Sequence, residues 1–164
     1  MKIKTTKAAI EKTPKKYVRL VLSEKSKDYH RLVEKSNGVM EYHLGVGKYK
    51  DITPRQFTTL IRSIVQAANA HSIQYLAIQF SKTPFTQLKE RGDDWVVSTI
   101  AENVYLADYK FTTYKTANKK KSQLAEVLLC GGLKKSEEVA LKRGEVVATF
   151  VNHARDIASY HGTI

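Results

Sequence analysis

The sequence predicts a layered α/β domain with a mixed central sheet flanked by helices. Short apolar or β-branched runs of strand length alternate along the chain with longer segments in which apolar residues recur at helical spacing. The chain has 164 residues, of which 42% are hydrophobic, and this is enough for one domain with a buried core. Strands and helices that alternate in this way are typical of a largely parallel or mixed sheet.

The first segments with a regular pattern predict two strands and a short helix. Residues 17–22 (YVRLVL) are apolar and β-branched, as in a strand. Residues 28–35 are interpreted as a short helix that ends at Asn37-Gly38, because these residue types readily adopt the left-handed conformation that ends helices. Residues 40–46 (MEYHLGV) alternate and then become apolar, which predicts a second strand.

The clearest helix signal follows these strands. Thr53 can cap the helix, Pro54 suits the first helical position, and Gln56 completes a Thr-x-x-Gln capping box. The residues that recur at helical spacing and form one apolar face are Phe57, Leu60, Ile61, Ile64, Val65 and Ala68.

Two further strands are predicted to be buried. Residues 73–80 (IQYLAIQF) form a nearly continuous apolar run of strand length, which is typical of a central strand. Residues 124–130 (LAEVLLC) form another such run, and Gly131-Gly132 closes it.

Two more helices are predicted after residue 92. Asp93 or Asp94 can cap a helix that continues to Asp108, with Val96, Ile100, Val104 and Ala107 on one face. Ser136 can cap a last, long helix. Its predicted face consists of Val139, Val146, Val147, Phe150, Ala154 and Ile157.

These elements predict three regions: a basic and flexible N-terminal tail over residues 1–16, an α/β domain over 17–135, and a long helix over 136–164. No run of 18 apolar residues exists, which excludes a membrane-spanning helix. The single cysteine, Cys130, excludes an internal disulfide and a four-cysteine zinc site. Because the first residues also lack the apolar core of a secretory signal, we expect a cytoplasmic location.

The charge balance favours encounters with polyanions. Lys and Arg number 28 against 16 Asp and Glu, a formal net charge of +12. Lys119, Lys120 and Lys121 form a cluster next to tyrosines that alternate with lysines, and such a pattern can bind single-stranded nucleic acid by stacking and charge. It is also found at domain and subunit interfaces. A basic module that binds nucleic acid such as DNA is therefore the alternative function.

The sequence contains no catalytic constellation. The five histidines form no HxH or HExxH motif and no Cys/His cluster, so a dedicated metal site is not expected. No GxSxG elbow, Walker motif or GxGxxG motif is present. Gly45-Val46-Gly47 and Gly131-Gly132 are weak matches to phosphate-binding loops, and we interpret both as turns.

Two segments carry a resemblance to a known family. Residues 100–121 (IAENVYLADYKFTTYKTANKKK) resemble the "G-x-x-L-A-x-Y-x-F-x-x-Y-K" segment of the amino-terminal domain of leucyl (cytosol) aminopeptidases, with Asn103 at the usual glycine. The matching positions are Leu106, Ala107, Tyr109, Phe111, Tyr114 and Lys115. Residues 144–163 resemble the linker helix of that family, which ends in "A-R-D-L-x-N-x-P-x-N". Ala154, Arg155, Asp156 and Ile157 match, whereas Ser159, His161 and Thr163 depart from it.

The resemblance covers residues 17–164 and implies a macro-domain-like fold whose last helix leads toward a second domain. In that family the carboxy-terminal domain holds two divalent metal ions, zinc or manganese, around the signature N-T-D-A-E-G-R, which no segment here matches. The chain alone is therefore expected to lack aminopeptidase activity and to bind no cofactor. The resemblance further implies a role in assembling a homohexamer and in limiting access to its active sites, and some members bind DNA.

The resemblance also implies structural roles for individual residues. Tyr109, Phe111 and Tyr114 are expected to pack the segment before the last strand, and Arg155 and Asp156 to tie the linker helix to its neighbours. A third interpretation rests on macro-like folds that bind ADP-ribose where strands join helices. It relies on Gly131-Gly132 as a phosphate loop and is the weakest of the three.

Overall fold

The computed structural model describes residues 1–80, 84–111 and 123–160. In these ranges six strands form one sheet in the spatial order β1-β6-β5-β2-β4-β3. The strands are β1 (Lys2–Thr5), β2 (Val18–Ser23), β3 (His30–Glu34), β4 (Met40–Gly45), β5 (Tyr75–Ile78) and β6 (Glu126–Leu129). The helices are α1 (Pro54–Ala70), α2 (Asp93–Asp108) and α3 (Lys135–Tyr160), and short 3-10 turns span Ile10–Lys12, Tyr49–Asp51 and Thr86–Leu88.

The sheet is mixed, as predicted. Strands β1, β6, β5, β2 and β4 pair in parallel, and β3 pairs antiparallel with β4 at one edge. Helices α1 and α2 share one apolar core with one face of the sheet, and α3 packs along α2. The prediction of a mixed central sheet flanked by helices is therefore confirmed.

The main core lies between the sheet and the predicted helix faces. Phe57, Ile61, Ile64, Val65 and Ala68 of α1 are buried, and so are Val96, Ile100 and Val104 of α2. These residues meet alternate side chains of the strands, namely Leu20, Tyr42, Leu44, Leu76, Ile78, Val127 and Leu129. The opposite face of the sheet carries a smaller cluster of Tyr17, Ala77, Leu128 and Cys130.

Helix α1 begins as its sequence predicts. The Thr53 side chain accepts a hydrogen bond from the backbone N–H of Gln56, and the Gln56 side chain accepts one from the backbone N–H of Thr53. Both halves of the capping box are present, so two backbone donors that the helix leaves unpaired find acceptors.

The short helix predicted over residues 28–35 is wrong. The segment forms strand β3, which pairs with β4 through a hairpin turn at Asn37-Gly38. Gly38 has a φ of 74°, and the Asn37 side chain accepts from the backbone N–H of Val39. An Asn-Gly pair is a strong hairpin signal as well as a helix stop, and the pairing of β3 with β4 shows that it forms the hairpin here.

The N-terminal segment differs from the flexible tail that the sequence analysis expects. Residues Lys2–Thr5 form an edge strand that pairs in parallel with β6. Beyond this strand, the backbone N–H groups of Gly131 and Gly132 donate to the carbonyls of Ala8 and Thr6. Alternating lysines obscure the strand pattern, although charged residues are common on edge strands.

The starts of α2 and α3 also differ from the predictions. Gly92 occupies the N-cap of α2 without a side-chain cap, so Asp93 and Asp94 lie in the first turn, where the helix dipole favours their charge. Helix α3 begins at Lys135, and Ser136 therefore lies inside the helix. The Glu137 carboxylate accepts from the backbone N–H of Lys134 at 2.7 Å, which is the carboxylate half of a capping box.

The apolar face predicted for α3 from its periodicity does not lie against the domain. Val139, Val146, Val147, Phe150 and Ile157 are exposed, whereas the small residues Ala140, Gly144 and Ala148 on the opposite side of the helix are buried. The periodicity identifies the apolar stripe, but small residues allow a closer approach of two helices, and they face α2.

None of the helices described is long and apolar enough to cross a membrane.

Candidate functional site

Helix α3 lies so close to α2 that one position requires glycine. A Cβ atom at Gly144 would lie 2.3 Å from the backbone oxygen of Ser98 and 3.0 Å from the Cβ of Ala101. Real Cβ contacts with backbone oxygens are longer than 3 Å, so no side chain fits at position 144 without movement of a helix. Gly144 thus fixes the position of α3 on the domain.

A polar clamp closes the contact between the ends of α2 and α3. The hydroxyl of Tyr109, directly after α2, donates to Asp156 Oδ1 at 2.6 Å. The Arg155 guanidinium lies 5.5 Å from the centre of the Tyr109 ring and donates to the carbonyl oxygen of Leu106 at 3.3 Å. Arg155 also donates to Asn152 Oδ1 at 3.2 Å. We refer to Tyr109, Arg155 and Asp156 as the α2–α3 clamp.

The clamp contains three of the residues selected from the sequence. Phe111 is half-buried just beyond it. Tyr114 and the cluster of Lys119, Lys120 and Lys121 lie outside the described residues. Residues selected from two motifs that are far apart in the sequence, Tyr109 in one and Arg155 and Asp156 in the other, are thus in contact in the structure.

A second hydrogen bond joins α2 to α3, and the sequence analysis does not identify its residues. The Tyr105 hydroxyl donates to Glu145 Oε1 at 2.8 Å. Burial of the Tyr105 ring, together with this hydrogen bond to a carboxylate, raises the pKa of Tyr105 to about 12. The phenol therefore stays protonated and donates throughout the physiological pH range.

Helix α3 presents an apolar ridge on the side that faces away from α2. Its centre consists of Val139, Val146, Phe150 and Ile157, which are 64%, 52%, 70% and 47% exposed. Val147 and Val151 flank the centre on one side and are also exposed. We call these six residues the outer ridge. Contiguous exposed apolar surface of this kind marks interaction sites in soluble proteins.

The buried carboxylate of Glu126 is the other residue that the sequence analysis missed. Glu126 is only 7% exposed, accepts a hydrogen bond from the Tyr17 hydroxyl and pairs with Lys4 Nζ at 2.8 Å. The hydrogen bonds from Lys4 and Tyr17 hold the pKa of Glu126 below its usual value in spite of burial. The same bond and burial raise the pKa of Tyr17 to about 12. A glutamate inside the otherwise apolar run of residues 124–130 is the signal that could have revealed this pair.

The structure offers no support for the phosphate loop at Gly131-Gly132. Both glycines have positive φ values, 97° and 77°, as turn residues do. Their backbone N–H groups, which a phosphate would require, already donate to Ala8 and Thr6. Across residues 1–80, 84–111 and 123–160, no three His, Cys, Asp or Glu side chains are grouped so that they could hold a metal ion.

A disruption of the clamp should be measurable. We expect Tyr109→Phe to lower the free energy of unfolding by about 1–2 kcal/mol, because the hydrogen bond to the Asp156 carboxylate is lost. Urea unfolding of the wild type, Tyr109→Phe, Asp156→Ala and the double variant would give the coupling energy between the two side chains. Strict additivity of the two single effects would contradict the clamp.

Comparisons with known proteins point to one family. Residues 42–118 match the family described as the cytosol aminopeptidase family, N-terminal domain. A probable cytosol aminopeptidase from Actinobacillus succinogenes is 29% identical over 118 residues, which is 71% of this chain and 23% of that protein. The chain therefore spans about a quarter of the length of this curated relative.

Solved structures show the same fold in larger enzymes. A mutant of tomato leucine aminopeptidase superimposes with a TM-score of 0.68 at 14% identity, over 90% of this chain and 36% of that chain. The bottromycin maturation enzyme BotP gives a TM-score of 0.60 at 18% identity, over 85% of this chain and 32% of BotP. BotP in complex with Mn gives 0.62 at 16% identity, over 87% and 31%. The sequence of the chain over residues 42–118 thus matches the amino-terminal domain of the cytosol aminopeptidase family, and its fold is similar to a part of tomato leucine aminopeptidase and of BotP.

Proposed function

We propose that this chain is the non-catalytic amino-terminal domain of a metal-dependent leucyl aminopeptidase, and that it acts in the assembly of the enzyme and in access to its active site. The parent enzyme removes N-terminal residues from peptides in the cytoplasm. The observation that carries the proposal is the outer ridge of α3, which places exposed apolar surface on a domain of this family.

The peptidase chemistry is assigned to a second domain that α3 leads toward. Hydrolysis with two metal ions needs clustered carboxylates that hold both ions and leave positions open for water. The described residues group no such ligands, and so they do not fit the two zinc or manganese ions of the parent. In this proposal the amino-terminal domain expected over residues 17–135 also includes the edge strand β1, and residues 136–164 form the connection to the catalytic domain.

The assembly role rests on how α3 is held. Gly144 and the α2–α3 clamp fix the helix on the domain, so that the outer ridge is presented in one orientation. A rigid apolar surface loses little conformational entropy when a partner covers it, which favours a stable contact. We expect the assembled enzyme to be a homohexamer.

A chimera tests the proposal directly. In the chimera, this chain would replace the corresponding amino-terminal region of the Actinobacillus succinogenes protein. Two quantities would be compared with those of the catalytic portion alone: the mass of the assembly in solution and the rate of hydrolysis of leucine p-nitroanilide with Mn²⁺. We expect the chimera to form a larger assembly and to be active, and this chain alone to show no hydrolysis. A chimera that assembles no further than the catalytic portion alone would contradict the proposed role.

A further inference from the structure

We infer that a cavity between β4, α1 and the segment that joins β2 to β3 binds a small carboxylate, with the aliphatic chain of the ligand inside the cavity and its charged group at the mouth. The cavity has a volume of about 240 Å³. Pockets for drug-sized ligands have roughly 300–1,000 Å³, so this one suits a smaller molecule. None of the lining residues belongs to the outer ridge, and the inference goes beyond the assembly role.

The inner part of the cavity is apolar. Leu44 of β4, Val46 directly after this strand and Ile52 before α1 are buried and line the cavity. Leu60 of α1 completes the apolar lining. Each methylene group that leaves water for such a lining contributes about fourfold in affinity, which favours a ligand with an aliphatic chain.

The wall on the side of β3 is held in place by backbone hydrogen bonds. The N–H groups of residues 45–47 donate to carbonyl oxygens within residues 23–29 at 2.8–2.9 Å. The carbonyl of Ser26 lies so close to Gly45 that no Cβ atom fits there. The cavity is therefore formed before a ligand arrives, and binding costs little conformational entropy.

The same hydrogen bonds argue against a phosphate. Gly45-Val46-Gly47 is the weak match to a phosphate-binding loop in the sequence, and such loops hold the anion with free backbone N–H groups. Here all three N–H groups are already paired with carbonyl oxygens. An anion at this cavity must therefore be held by side chains.

Lys27 supplies the positive charge at the mouth. Its aliphatic stem lies along the loop, since a Cβ atom at Gly47 would be 3.8 Å from Lys27 Cε. Lys27 is exposed and lines the cavity, and no ion pair joins it to another of the described residues. Its ammonium group is thus available to a carboxylate at the mouth.

His30 supplies a second donor. It lies opposite Leu44 in the pairing of β3 with β4, so its side chain is on the sheet face that α1 covers. His30 Nδ1 lies 2.8 Å from the hydroxyl of Tyr42, which is fully buried and needs an acceptor. When Nδ1 accepts this bond, the hydrogen of the neutral ring is on Nε2, and this nitrogen remains for the ligand.

The other polar residues around the cavity do not oppose an anion. No Asp or Glu is among the described residues that line it. Glu24, the acidic residue at the start of the joining segment, accepts from the backbone N–H of Tyr49 instead. The hydroxyls of Thr59 and Ser63 donate to carbonyl groups of α1. Lys27 and His30 are therefore the charged or titratable groups that a ligand meets.

Titrations of the complete chain with matched ligands, followed by two-dimensional NMR, test the inference. The probe is 4-methylpentanoate, and we expect it to shift the amide signals of residues 44–47 and 59–63. The uncharged 4-methylpentanamide should bind about three- to tenfold more weakly. Acetate, which lacks four carbon atoms of the chain, should bind about 100-fold more weakly. Unshifted signals, or equal binding of the amide or of acetate, would overturn the inference.

Variants separate the mouth of the cavity from the net charge of +12, which attracts any anion. We expect Lys27→Gln and His30→Gln each to weaken the binding of 4-methylpentanoate about two- to fivefold. Lys48→Gln is the matched control, because Lys48 is exposed and does not line the cavity, and it should bind as the wild type does. The same loss in all three variants would show attraction by net charge alone and overturn the inference.

Discussion

A single methyl group at position 144 is expected to destabilise this protein, although the same change stabilises most helices. Replacement of glycine by alanine inside a helix usually contributes about 1 kcal/mol of stability. In α3, however, the new Cβ would lie 2.3 Å from the backbone oxygen of Ser98, which cannot rotate away. We expect Gly144→Ala to lower the free energy of unfolding by about 1–3 kcal/mol, and Gly144→Val by more, because overpacking forces the helices apart.

Urea unfolding followed by circular dichroism would measure both changes. Ala154→Val is the matched control, because Ala154 lies on the same helix but faces solvent, and we expect its effect to stay within about 0.5 kcal/mol. A more stable Gly144→Ala variant would mean that α3 is free to move away from α2. The rigid presentation of the outer ridge would then have to be abandoned.

The elements that the sequence predicts well are those specified by local signals. Helix α1 has its cap, its proline and its apolar face within one continuous segment, and each of them forms as predicted. Strands β5 and β6 are buried on both faces, so that their apolar runs are unambiguous. The segment that forms strand β3 is predicted wrongly as a helix because Asn37-Gly38 suits both a helix end and a hairpin. Only the pairing of β3 with β4 decides between the two.

The orientation of α3 could not be predicted from its own sequence. An amphipathic pattern shows that one stripe of a helix is apolar, but a partner outside the domain can cover that stripe as well as the core can. What places α3 is the fit of Gly144 against Ser98, which involves two segments far apart in the chain. Periodicity carries no information about such a fit.

Only those residues of the candidate site that belong to a recognisable motif could be selected from the sequence. Tyr109, Arg155 and Asp156 were selected by resemblance, and they meet in the structure. Tyr105 and Glu145 lie in the same helix contact but carry no motif, and only the packing of α2 on α3 reveals their hydrogen bond.

Glu126 should contribute more to stability than any exposed carboxylate of the chain, and its contribution should depend on pH. Glu126→Ala leaves the buried Tyr17 hydroxyl without its acceptor and Lys4 without its partner. We expect a loss of about 2–3 kcal/mol in the free energy of unfolding at neutral pH. Glu34→Ala, an exposed glutamate on the edge strand β3, is the matched control and should change stability by less than about 0.5 kcal/mol.

The pH dependence follows from the direction of the two pKa shifts. Because the pKa of Glu126 is lowered in the folded state, the unfolded chain takes up the proton first as the pH falls below about 4.5. The stabilisation is therefore present above that pH and is lost in acid. Because the pKa of Tyr17 is raised to about 12, the unfolded chain releases the phenol proton first, and stability is lost between pH 10 and about 12.

Unfolding of the wild type, Glu126→Gln and Tyr17→Phe across this range separates the two contributions. In a plot of the free energy of unfolding against pH, Glu126→Gln should lose less stability in acid than the wild type does. Tyr17→Phe should lose less stability than the wild type between pH 10 and about 12. Parallel profiles for all three proteins would show that the pair does not form in solution. Strand β6 would then lack the Tyr17 hydrogen bond that helps to accommodate its buried carboxylate, and the burial of Glu126 itself would be in doubt.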